Sequence, residues 1–269
     1  MASSYPFRNT FLTQLISINI RSREFQSTLA KMLASQEGVS TAMSLRGDDA
    51  LTLVDILDQT FEAPNTNLDL RRKSVPILRR VCGSQAILPR SCMFSDNISK
   101  EGDIPFASGE FADIWKGHHN GSRVCVKAFR TYTAENLFKI KQCLFQEIVI
   151  WRRLSHPNVL PVLGVSLELF PLCVITEWMI DGDIMDFTSK HPEVNRLRLL
   201  AEAANGLRYL HLLDIIHGNL KPTNVLIDRD FRPRLTDYGL IPIYRPIHGT
   251  RTTGPLRFRT EEQNSDEKG

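Results

Sequence analysis

Two short segments carry the polar side chains that could do chemistry on a phosphate. The segment HGNLKPTN (217–224) places Asn219, Lys221 and Asn224 in one loop, and TDYG follows with Asp237. Asparagine and aspartate supply the hard oxygen ligands that Mg²⁺ bound to a triphosphate prefers. Lys221 can neutralise charge on a transferring phosphoryl group. These residue types suit a nucleotide-bound magnesium ion, with Asn224 and Asp237 as candidate ligands.

An earlier part of the chain supplies a candidate phosphate-binding turn and a candidate ion pair. ASGEFADIWKG (107–117) has Gly109 near a tip between two strand-like pieces, where backbone amides could lie over phosphates. Since Gly109 is the only glycine in this tip, an ordinary hairpin is the alternative. Lys127 follows in VCVKAF, and a lysine on an interior-type strand is costly unless it is paired. Glu147 is the candidate partner, although each residue taken singly is more often a surface charge.

The elements that must position these residues are predicted as strands first and helices later. FADIWKG and SRVCVKAF flank HHNG, which predicts a β-hairpin, and LPVLGVSL and LCVITEWM are further strand candidates. Long helices are predicted over 133–155 and 192–213. Their apolar stripes comprise Leu137, Ile140, Leu144, Ile148 and Trp151 in the first helix, and Leu197, Leu200, Ala204, Leu207 and Leu210 in the second. NVLID and RPRLTDYG predict a short final hairpin. This order predicts an α+β fold in which a β-rich small lobe joins a helical lobe.

Residues 1–95 are predicted to form a helical preamble that packs on the rest of the chain. GDDALTLVDILDQTF has helical apolar spacing, with Asp48 or Asp49 as its N-cap. Residues 67–82 are helix-like, with Pro76 near a helix start or at a kink. SREFQSTLAKMLASQEG could form one amphipathic helix. We predict no chemistry for this segment.

Composition narrows the class of protein. A net charge of +3 over 269 residues does not indicate the concentrated basic face that nucleic-acid binding needs. No apolar run approaches the about 20 residues of a membrane span, and the N-terminus lacks the pattern of a signal peptide. The five cysteines are odd in number, widely spaced and without CxxC, which indicates free thiols in a reducing compartment. We therefore expect a cytoplasmic or nuclear protein without nucleic-acid or membrane partners.

Taken in order, these segments resemble a protein kinase. The matching elements are the glycine-loop segment, the lysine in VCVK, the helix residue Glu147, SHPNVL, the hinge-like VITEWM, HGNLKPTN for the catalytic loop H-R-D-L-x-x-x-N, and TDYG for D-F-G. The resemblance covers residues 100–262 or so. Lys221 matches the Ser/Thr-specific form of the loop, and SHPNVLPVLGV with HGNLKPTNVLI is most similar to the tyrosine-kinase-like group. SQAILPRSCMFSDNI is similar to the expansions of that group in mushroom-type fungi.

The resemblance implies a bilobal kinase-like fold and a role for each site residue. ATP and Mg²⁺ would be the cofactors, and a protein would be the substrate or partner. Lys127 and Glu147 would form an ion pair that holds the lysine against the α- and β-phosphates. Adenine would lie among Ile114, Cys125, Leu226, the gatekeeper Thr176 and the hinge Glu177 to Met179. His217, Tyr238 and Trp151 would stack between the lobes.

The sequence departs from the kinase pattern at its most reactive position. Asn219 stands where the family has the aspartate that accepts the proton of the substrate hydroxyl. An amide can orient a hydroxyl but cannot take its proton, and general-base catalysis contributes about 10²–10⁴-fold. Ala107 and Ala112 replace the first and third glycines of the loop, and we expect Ala107 to restrict the turn. Gly218 replaces the arginine that would meet a phosphorylated activation loop.

The end of the chain departs as well. Without that arginine, Thr250, Thr252 and Thr253 have no obvious receiver for a phosphate. GPLRFRTEE (254–262) resembles G-x-x-R-W-x-A-P-E, but only QNSDEKG follows, so the helices that complete a kinase lobe are expected to be absent and apolar surface to be exposed. The expected division is a helical segment at 1–95, an incomplete kinase-like domain at 96–262 and a tail at 263–269.

Three functions fit these observations. The favoured one is a pseudokinase that binds ATP–Mg²⁺, is impaired in phosphoryl transfer and acts through interaction. The first alternative is an active Ser/Thr kinase that tolerates Asn219, and the second is a truncated remnant without activity.

Overall fold

The computed structural model describes residues 22–94, 98–109, 111–131, 133–240 and 243. The helices are α1 (Arg23–Ala34), α2 (Gln36–Ser44), α3 (Gly47–Glu62), α4 (Leu68–Gln85), α5 (Ala134–Trp151), α6 (Ile184–Lys190) and α7 (Arg196–Leu212). The strands are β1 (Ile98–Lys100), β2 (Ala107–Ser108), β3 (Ala112–His119), β4 (Ser122–Phe129), β5 (Val162–Ser166), β6 (Cys173–Glu177), β7 (Val225–Ile227) and β8 (Pro233–Leu235). Thr250, Thr252, Thr253, the segment 254–262 and the tail 263–269 lie outside the described residues.

The N-terminal segment is helical, as predicted, but two of its boundaries differ from the prediction. Ser35 divides the expected single helix into α1 and α2, since its backbone is extended and its Oγ accepts a hydrogen bond from Gly38 N at 3.0 Å. α3 begins at Gly47, so Asp48 and Asp49 lie in its first turn and neither is its N-cap. Both carboxylates still favour the positive end of the helix dipole there.

α4 continues through Pro76, although a proline removes one backbone hydrogen bond from a helix interior. Packing against the neighbouring helices keeps the chain helical on both sides of the proline. Ile77, Leu78 and Val81 are buried immediately after it. Pro76 therefore lies inside a helix and not near a helix start.

The sheet of the small lobe has the strand order β1–β3–β4–β6–β5, with β2 paired to β3 and every described pair antiparallel. The predicted hairpin turn lies between β3 and β4, where Asn120 and Gly121 both have positive φ, at 48° and 79°. Such a two-residue turn matches the twist of the paired strands. On the central strand β4, Val124, Val126 and Ala128 are buried on one face, which leaves the alternate residues to face the cleft.

α5 lies between the sheet and the N-terminal helices, and it carries the predicted apolar stripe. Ile140, Leu144, Ile148 and Trp151 are all buried. They belong to one hydrophobic cluster that extends from Phe25 in α1 into the β7–β8 region. The N-terminal helices and the small lobe therefore share a core.

The predicted stripe of α7 is wrong for Leu197, Leu200 and Ala204, which are exposed. Leu197 and Leu200 are 78% and 60% exposed, while Leu199 and Leu210 are fully buried. The buried face is selected by Gly206, because a Cβ there would lie 2.4 Å from the carbonyl oxygen of Asn158. Only the glycine face of α7 can approach that backbone, so the leucines on the opposite face stay exposed.

Candidate functional site

The two predicted metal ligands lie at the same end of the β7–β8 hairpin. Val225 pairs with Leu235, and Thr236 N donates a hydrogen bond to Asn224 O at 3.0 Å, one step beyond the strand pair. Asn224 therefore precedes β7 at the end where Asp237 follows β8. The Nδ2 group of Asn224 donates a hydrogen bond to Asn219 O at 2.8 Å. The side-chain oxygen Oδ1 of Asn224 therefore remains as the atom that can bind a cation.

Lys127 contacts Asp237 across the cleft between the sheet and this hairpin. Lys127 Nζ lies 2.5 Å from Asp237 Oδ1, and the two side chains are only 15% and 24% exposed. A largely buried lysine requires a charged partner, and the carboxylate supplies it. The structure thus brings together a cation and an acid that stand 110 residues apart in the chain.

The expected Lys127–Glu147 ion pair is a prediction that the structure corrects. Glu147 Oε1 instead accepts a hydrogen bond from Arg79 Nη2 at 2.6 Å. Arg79 lies on α4, in the segment for which the sequence predicted no chemistry. Because Asp237 satisfies Lys127 and Arg79 satisfies Glu147, each member of the expected pair has a different counter-ion.

The predicted adenine-binding residues share the cleft side of the sheet. Ile114 lies opposite Lys127 in the β3–β4 register, and Cys125 lies opposite Thr176 in the β4–β6 register. All four are partly buried. Burial raises the pKa of the Cys125 thiol to about 11, so this side chain is neutral and presents an apolar sulfur to the cleft.

The remaining adenine candidates come from the segment after β6 and from the hairpin below it. Glu177 ends β6 with an exposed side chain, and Met179, partly buried, begins the turn that follows. Met179 O accepts from Gly182 N at 3.4 Å. Leu226, at the centre of β7, is partly buried, and its backbone forms an isolated antiparallel β-bridge with that of Asp183. The backbone thus places these residues around one cleft edge.

The glycine-loop segment forms a tight strand connection, and its alanines are accommodated. Ala107 of β2 pairs with Ile114 of β3. The φ angle of Ala107 is not positive, so the expected restriction of the turn by this alanine does not arise. Gly109 N donates to Ala112 O at 2.9 Å, and Ala112 is buried. The strands before and after the tip are therefore held in register by backbone hydrogen bonds.

In the HGNLKPTN loop, the backbone of Asn219 forms hydrogen bonds with the side chains of His217 and Asn224. Asn219 N donates to His217 Nδ1 at 3.4 Å, and Asn219 O accepts from Asn224. Gly218 has φ +74°, a conformation that glycine adopts at little steric cost. Lys221 is exposed. The loop holds Asn219 beside the metal-ligand candidate and leaves Lys221 directed to solvent.

The predicted stack between the lobes is confirmed. The ring of Tyr238 packs edge-on against Trp151 at 5.7 Å and against His217 at 6.4 Å between centroids. Tyr238 Oη donates to Leu160 O at 2.9 Å. Burial lowers the pKa of His217, which favours a neutral imidazole and suits a structural role beside the Tyr238 ring and the Asn219 backbone.

An aromatic pair at the start of the glycine loop was not predicted. Phe106 packs edge-on against Trp178 with 5.0 Å between ring centroids, and Lys116 Nζ lies 4.5 Å from the Phe106 ring centre. The pair joins the strand before the glycine loop to the segment after β6. The position of Phe106 immediately before Ala107 was the available signal, but its role depends on a contact 72 residues away, which periodicity does not reveal.

The donor set fits a nucleotide-bound magnesium ion. The side-chain oxygens of Asn224 and Asp237 lie at one end of the β7–β8 hairpin. Lys127 contacts the Asp237 carboxylate. In the part of the chain that the structure describes, no three His, Cys, Asp or Glu side chains form a protein-only metal centre. Magnesium sites of this kind obtain their other ligands from water and substrate phosphates, so two protein oxygens suffice.

Comparisons with known proteins agree with this architecture. The sequence profile described as "Protein tyrosine and serine/threonine kinase" matches residues 103–263. Interleukin-1 receptor-associated kinase-like 2 of Bos taurus is 31% identical over 52% of this chain and 23% of its own length. Serine/threonine-protein kinase STY46 of Arabidopsis thaliana is 30% identical over 58% of this chain and 28% of its own. U-box domain-containing protein 32 of Arabidopsis thaliana is 25% identical over 92% of this chain and 31% of its own.

The similarity extends over only part of each relative. The chain spans less than a third of the length of each of these relatives. None of the helices that the structure describes has the length and hydropathy to cross a bilayer. The kinase family uses ATP with Mg²⁺ and acts on or with proteins. Because the profile covers more than half of the sequence and the fold matches it, the chain belongs to the protein tyrosine and serine/threonine kinase family, with tyrosine-kinase-like relatives.

Proposed function

We propose that this chain is a pseudokinase that binds ATP with Mg²⁺ and is impaired in phosphoryl transfer. The observation that carries the proposal is the combination of a partly buried Lys127–Asp237 pair with Asn219 in the position of the catalytic base. The Lys127–Asp237 pair supports a nucleotide site, and Asn219 leaves that site without the carboxylate that would accept the proton. The protein would act in signalling through protein partners.

Each residue of the site has a proposed task. Lys127 would bind the α- and β-phosphates, and Asn224 Oδ1 with a carboxylate oxygen of Asp237 would hold the magnesium ion. Magnesium, when bound, neutralises the negative charge that collects on the phosphate oxygens. Ile114, Cys125 and Leu226 would pack on adenine, with Thr176 behind it and the backbone of Glu177 to Met179 beside it; Gly109 and its neighbours would cover the phosphates.

The impairment rests on the chemistry of an amide. Asn219 has no group that can accept a proton at neutral pH, so the substrate hydroxyl keeps its proton when it is oriented for attack. Lys221 can still neutralise the phosphoryl group. We therefore expect transfer to be reduced by about 10²–10⁴-fold while nucleotide binding is retained.

A second candidate is an active Ser/Thr kinase. The assembled Trp151–Tyr238–His217 stack favours it, because the stack joins the two lobes in one arrangement. The five free cysteines support a reducing compartment, cytoplasm or nucleus, for either function.

Nucleotide binding is tested by calorimetric titration with ATP and Mg²⁺. The native chain should bind, and Lys127→Met should weaken binding at least about tenfold, since it removes the cation facing the phosphates. Lys139→Met is the matched control, because Lys139 lies on the surface of α5 in an ion pair with Glu135 and should leave affinity unchanged. Equal affinity in both lysine variants would contradict the proposed site.

Impaired transfer is tested by restoring the acid. Asn219→Asp should raise the rate of phosphate transfer to a generic protein substrate by about 10²–10⁴-fold, because a carboxylate can accept the hydroxyl proton. The affinity for ATP–Mg²⁺ should change little. Robust transfer by the unaltered protein would favour the active kinase instead.

A further inference from the structure

Phe106 and Trp178 join the start of β2 to the segment that follows β6. Their rings pack edge-on with 5.0 Å between centroids. Lys116 Nζ lies 4.5 Å from the centre of the Phe106 ring and 5.3 Å from a ring centre of Trp178. An edge-on aromatic pair and a cation over an aromatic ring are both attractive arrangements. The three side chains therefore form one cluster, which we call the aromatic latch.

The aromatic latch lies beside the candidate adenine-binding residues. Lys116 pairs with Cys125, which pairs in turn with Thr176, so these three side chains share the cleft face of the sheet. Ile114 lies on the same face two residues before Lys116, and its carbonyl accepts a hydrogen bond from Phe106 N at 2.8 Å. The latch therefore borders the cleft at the proposed adenine position.

β2 is a short surface strand, and the latch connects it to a second part of the small lobe. Its two residues, Ala107 and Ser108, are exposed, and among the described strands it pairs with β3. Phe106, just before it, is 61% exposed. Trp178 is partly buried, and its backbone N donates to Arg123 O at 3.4 Å. The latch thus ties an exposed strand to a residue that is hydrogen-bonded to the start of β4.

We propose that the aromatic latch gates the nucleotide site, and that the Phe106–Trp178 contact opens each time a nucleotide enters or leaves. Lys116 stabilises the closed state through both rings. Because β2 leads directly to Gly109, opening of the latch frees the strand whose tip would cover the phosphates. This inference rests on the proposed binding of ATP with Mg²⁺.

A gate gives a kinetic prediction that a purely structural contact does not give. Since the same opening precedes entry and release, the closed latch slows both steps by the same factor and leaves their ratio, the dissociation constant, nearly unchanged. Phe106→Ala should raise the association and dissociation rate constants each by at least about fivefold. Lys116→Met should raise both by a smaller factor, because it removes the cation and keeps the ring pair. Stopped-flow measurement with N-methylanthraniloyl-ATP and Mg²⁺ gives both constants.

Further variants separate the gate from general damage to the lobe. Phe106→Tyr keeps the ring and should keep the native rate constants. Trp178→Ala should accelerate both steps, and the double variant with Phe106→Ala should be no faster than either single one, since all three lose the same contact. Ile104→Ala is the matched control, because Ile104 is 81% exposed two residues before Phe106, and it should change neither constant. Faster release with unchanged or slower association would overturn the gate.

Hydrogen exchange supplies a readout that needs no nucleotide. Phe106 N donates to Ile114 O, and Gly109 N donates to Ala112 O. In Trp178→Ala without ligand, the amides of Phe106 and Gly109 should exchange at least about threefold faster, while the amides of the central strand β4 keep their native rates.

The two readouts distinguish failure of the gate from failure of the nucleotide site. Native exchange at Phe106 and Gly109, with native rate constants for the ATP analogue in every latch variant, overturns the gate and leaves the nucleotide site standing. Faster exchange in Trp178→Ala, with no nucleotide bound by any variant or by the native chain, supports the latch as the contact that holds β2 and overturns the proposed function.

Discussion

Asp228 organises the turn of the hairpin that carries both metal-ligand candidates. Its carboxylate accepts hydrogen bonds from Asp230 N at 2.9 Å, Arg232 N at 2.9 Å and Arg234 Nε at 2.8 Å. Burial by itself would raise the pKa of this carboxyl, but the hydrogen bonds from Arg232 N and Arg234 outweigh it, so the pKa lies below its ordinary value. Asp228 is therefore more acidic in the folded than in the unfolded chain.

The lowered pKa gives a pH-dependent prediction for Asp228→Asn. The carboxylate stabilises the fold fully above the unfolded pKa of about 3.9, and this contribution is lost as pH falls through the lower folded pKa. We expect Asp228→Asn to reduce the free energy of unfolding by about 1–3 kcal/mol at pH 7, with the difference shrinking below about pH 4. Urea unfolding at several pH values measures this.

Asp230→Asn is the control for that series. The Asp230 side chain is 71% exposed and lies 4.0 Å from Arg232, so its removal should change stability by less than about 0.5 kcal/mol. A loss for Asp228→Asn that is the same at pH 7 and in acid would show that the charge is not what stabilises the turn.

Among the elements, α7 shows how one glycine selects the face that a helix buries. Gly206 lies against Asn158, whose carbonyl accepts from Leu235 N at 2.9 Å and whose Nδ2 donates to Pro233 O at 3.0 Å. Asn158 thereby joins β8 to the segment before β5. The contact between α7 and this segment supports the hairpin that carries Asp237.

This contact reverses the usual effect of alanine in a helix. Gly→Ala in a helix interior normally stabilises by about 1 kcal/mol, but the Cβ of Gly206→Ala would lie 2.4 Å from Asn158 O. We expect a loss of about 1–3 kcal/mol in the free energy of unfolding, measured by urea denaturation. Asn205→Ala, at the adjacent exposed position, should be neutral or slightly stabilising. Stabilisation by Gly206→Ala would contradict the packing described.

At the scale of the whole molecule, a buried ion pair joins the N-terminal helices to the kinase lobe. Arg153, after α5, forms an ion pair with Asp58 of α3, and both side chains are nearly inaccessible, at 11% and 4%. Ser91 Oγ donates to the same carboxylate at 2.6 Å, and the Arg153 guanidinium lies 4.5 Å from the centre of the Phe61 ring. With the shared hydrophobic core, these contacts couple the helices to the lobe.

The coupling predicts that a substitution that destabilises α3 also destabilises the kinase lobe. Asp58→Ala leaves the buried Arg153 without its counter-ion, and we expect a loss of about 3–5 kcal/mol in the free energy of unfolding. The three tryptophans, Trp115, Trp151 and Trp178, all lie in the kinase lobe, and Trp151 belongs to the core that the lobe shares with the N-terminal helices, so their fluorescence reports on the lobe and on that shared core. In Asp58→Ala, the midpoint of the unfolding transition followed by tryptophan fluorescence should shift together with the midpoint followed by circular dichroism of the whole chain.

Glu62→Ala is the matched control for the same arginine. Glu62 is 56% exposed and lies 3.8 Å from Arg153 Nε, so its loss should cost less than about 1 kcal/mol. Fluorescence that remains unshifted in Asp58→Ala, while helix signal is lost, would show that the N-terminal helices unfold independently.

Local patterns in the sequence predicted most of the helices and strands. The β3–β4 turn follows from Asn120 and Gly121, and the stripe of α5 follows from its spacing, because these depend on neighbours along the chain. The placement of Asn224 and Asp237 at one end of the β7–β8 hairpin and the stack on Tyr238 follow from the order of motifs. The roles proposed for the adenine and metal residues stay predictions.

What only the tertiary structure decided is which of several equivalent side chains meets a partner. α4 carries four arginines, Arg71, Arg72, Arg79 and Arg80, that local sequence does not distinguish, and the packing at Gly83 brings Arg79 to Glu147. α7 carries leucines on two faces, and Gly206 selects between them. Secondary structure follows from interactions a few residues apart, whereas the partner of a charge or the buried face of a helix depends on segments tens of residues away.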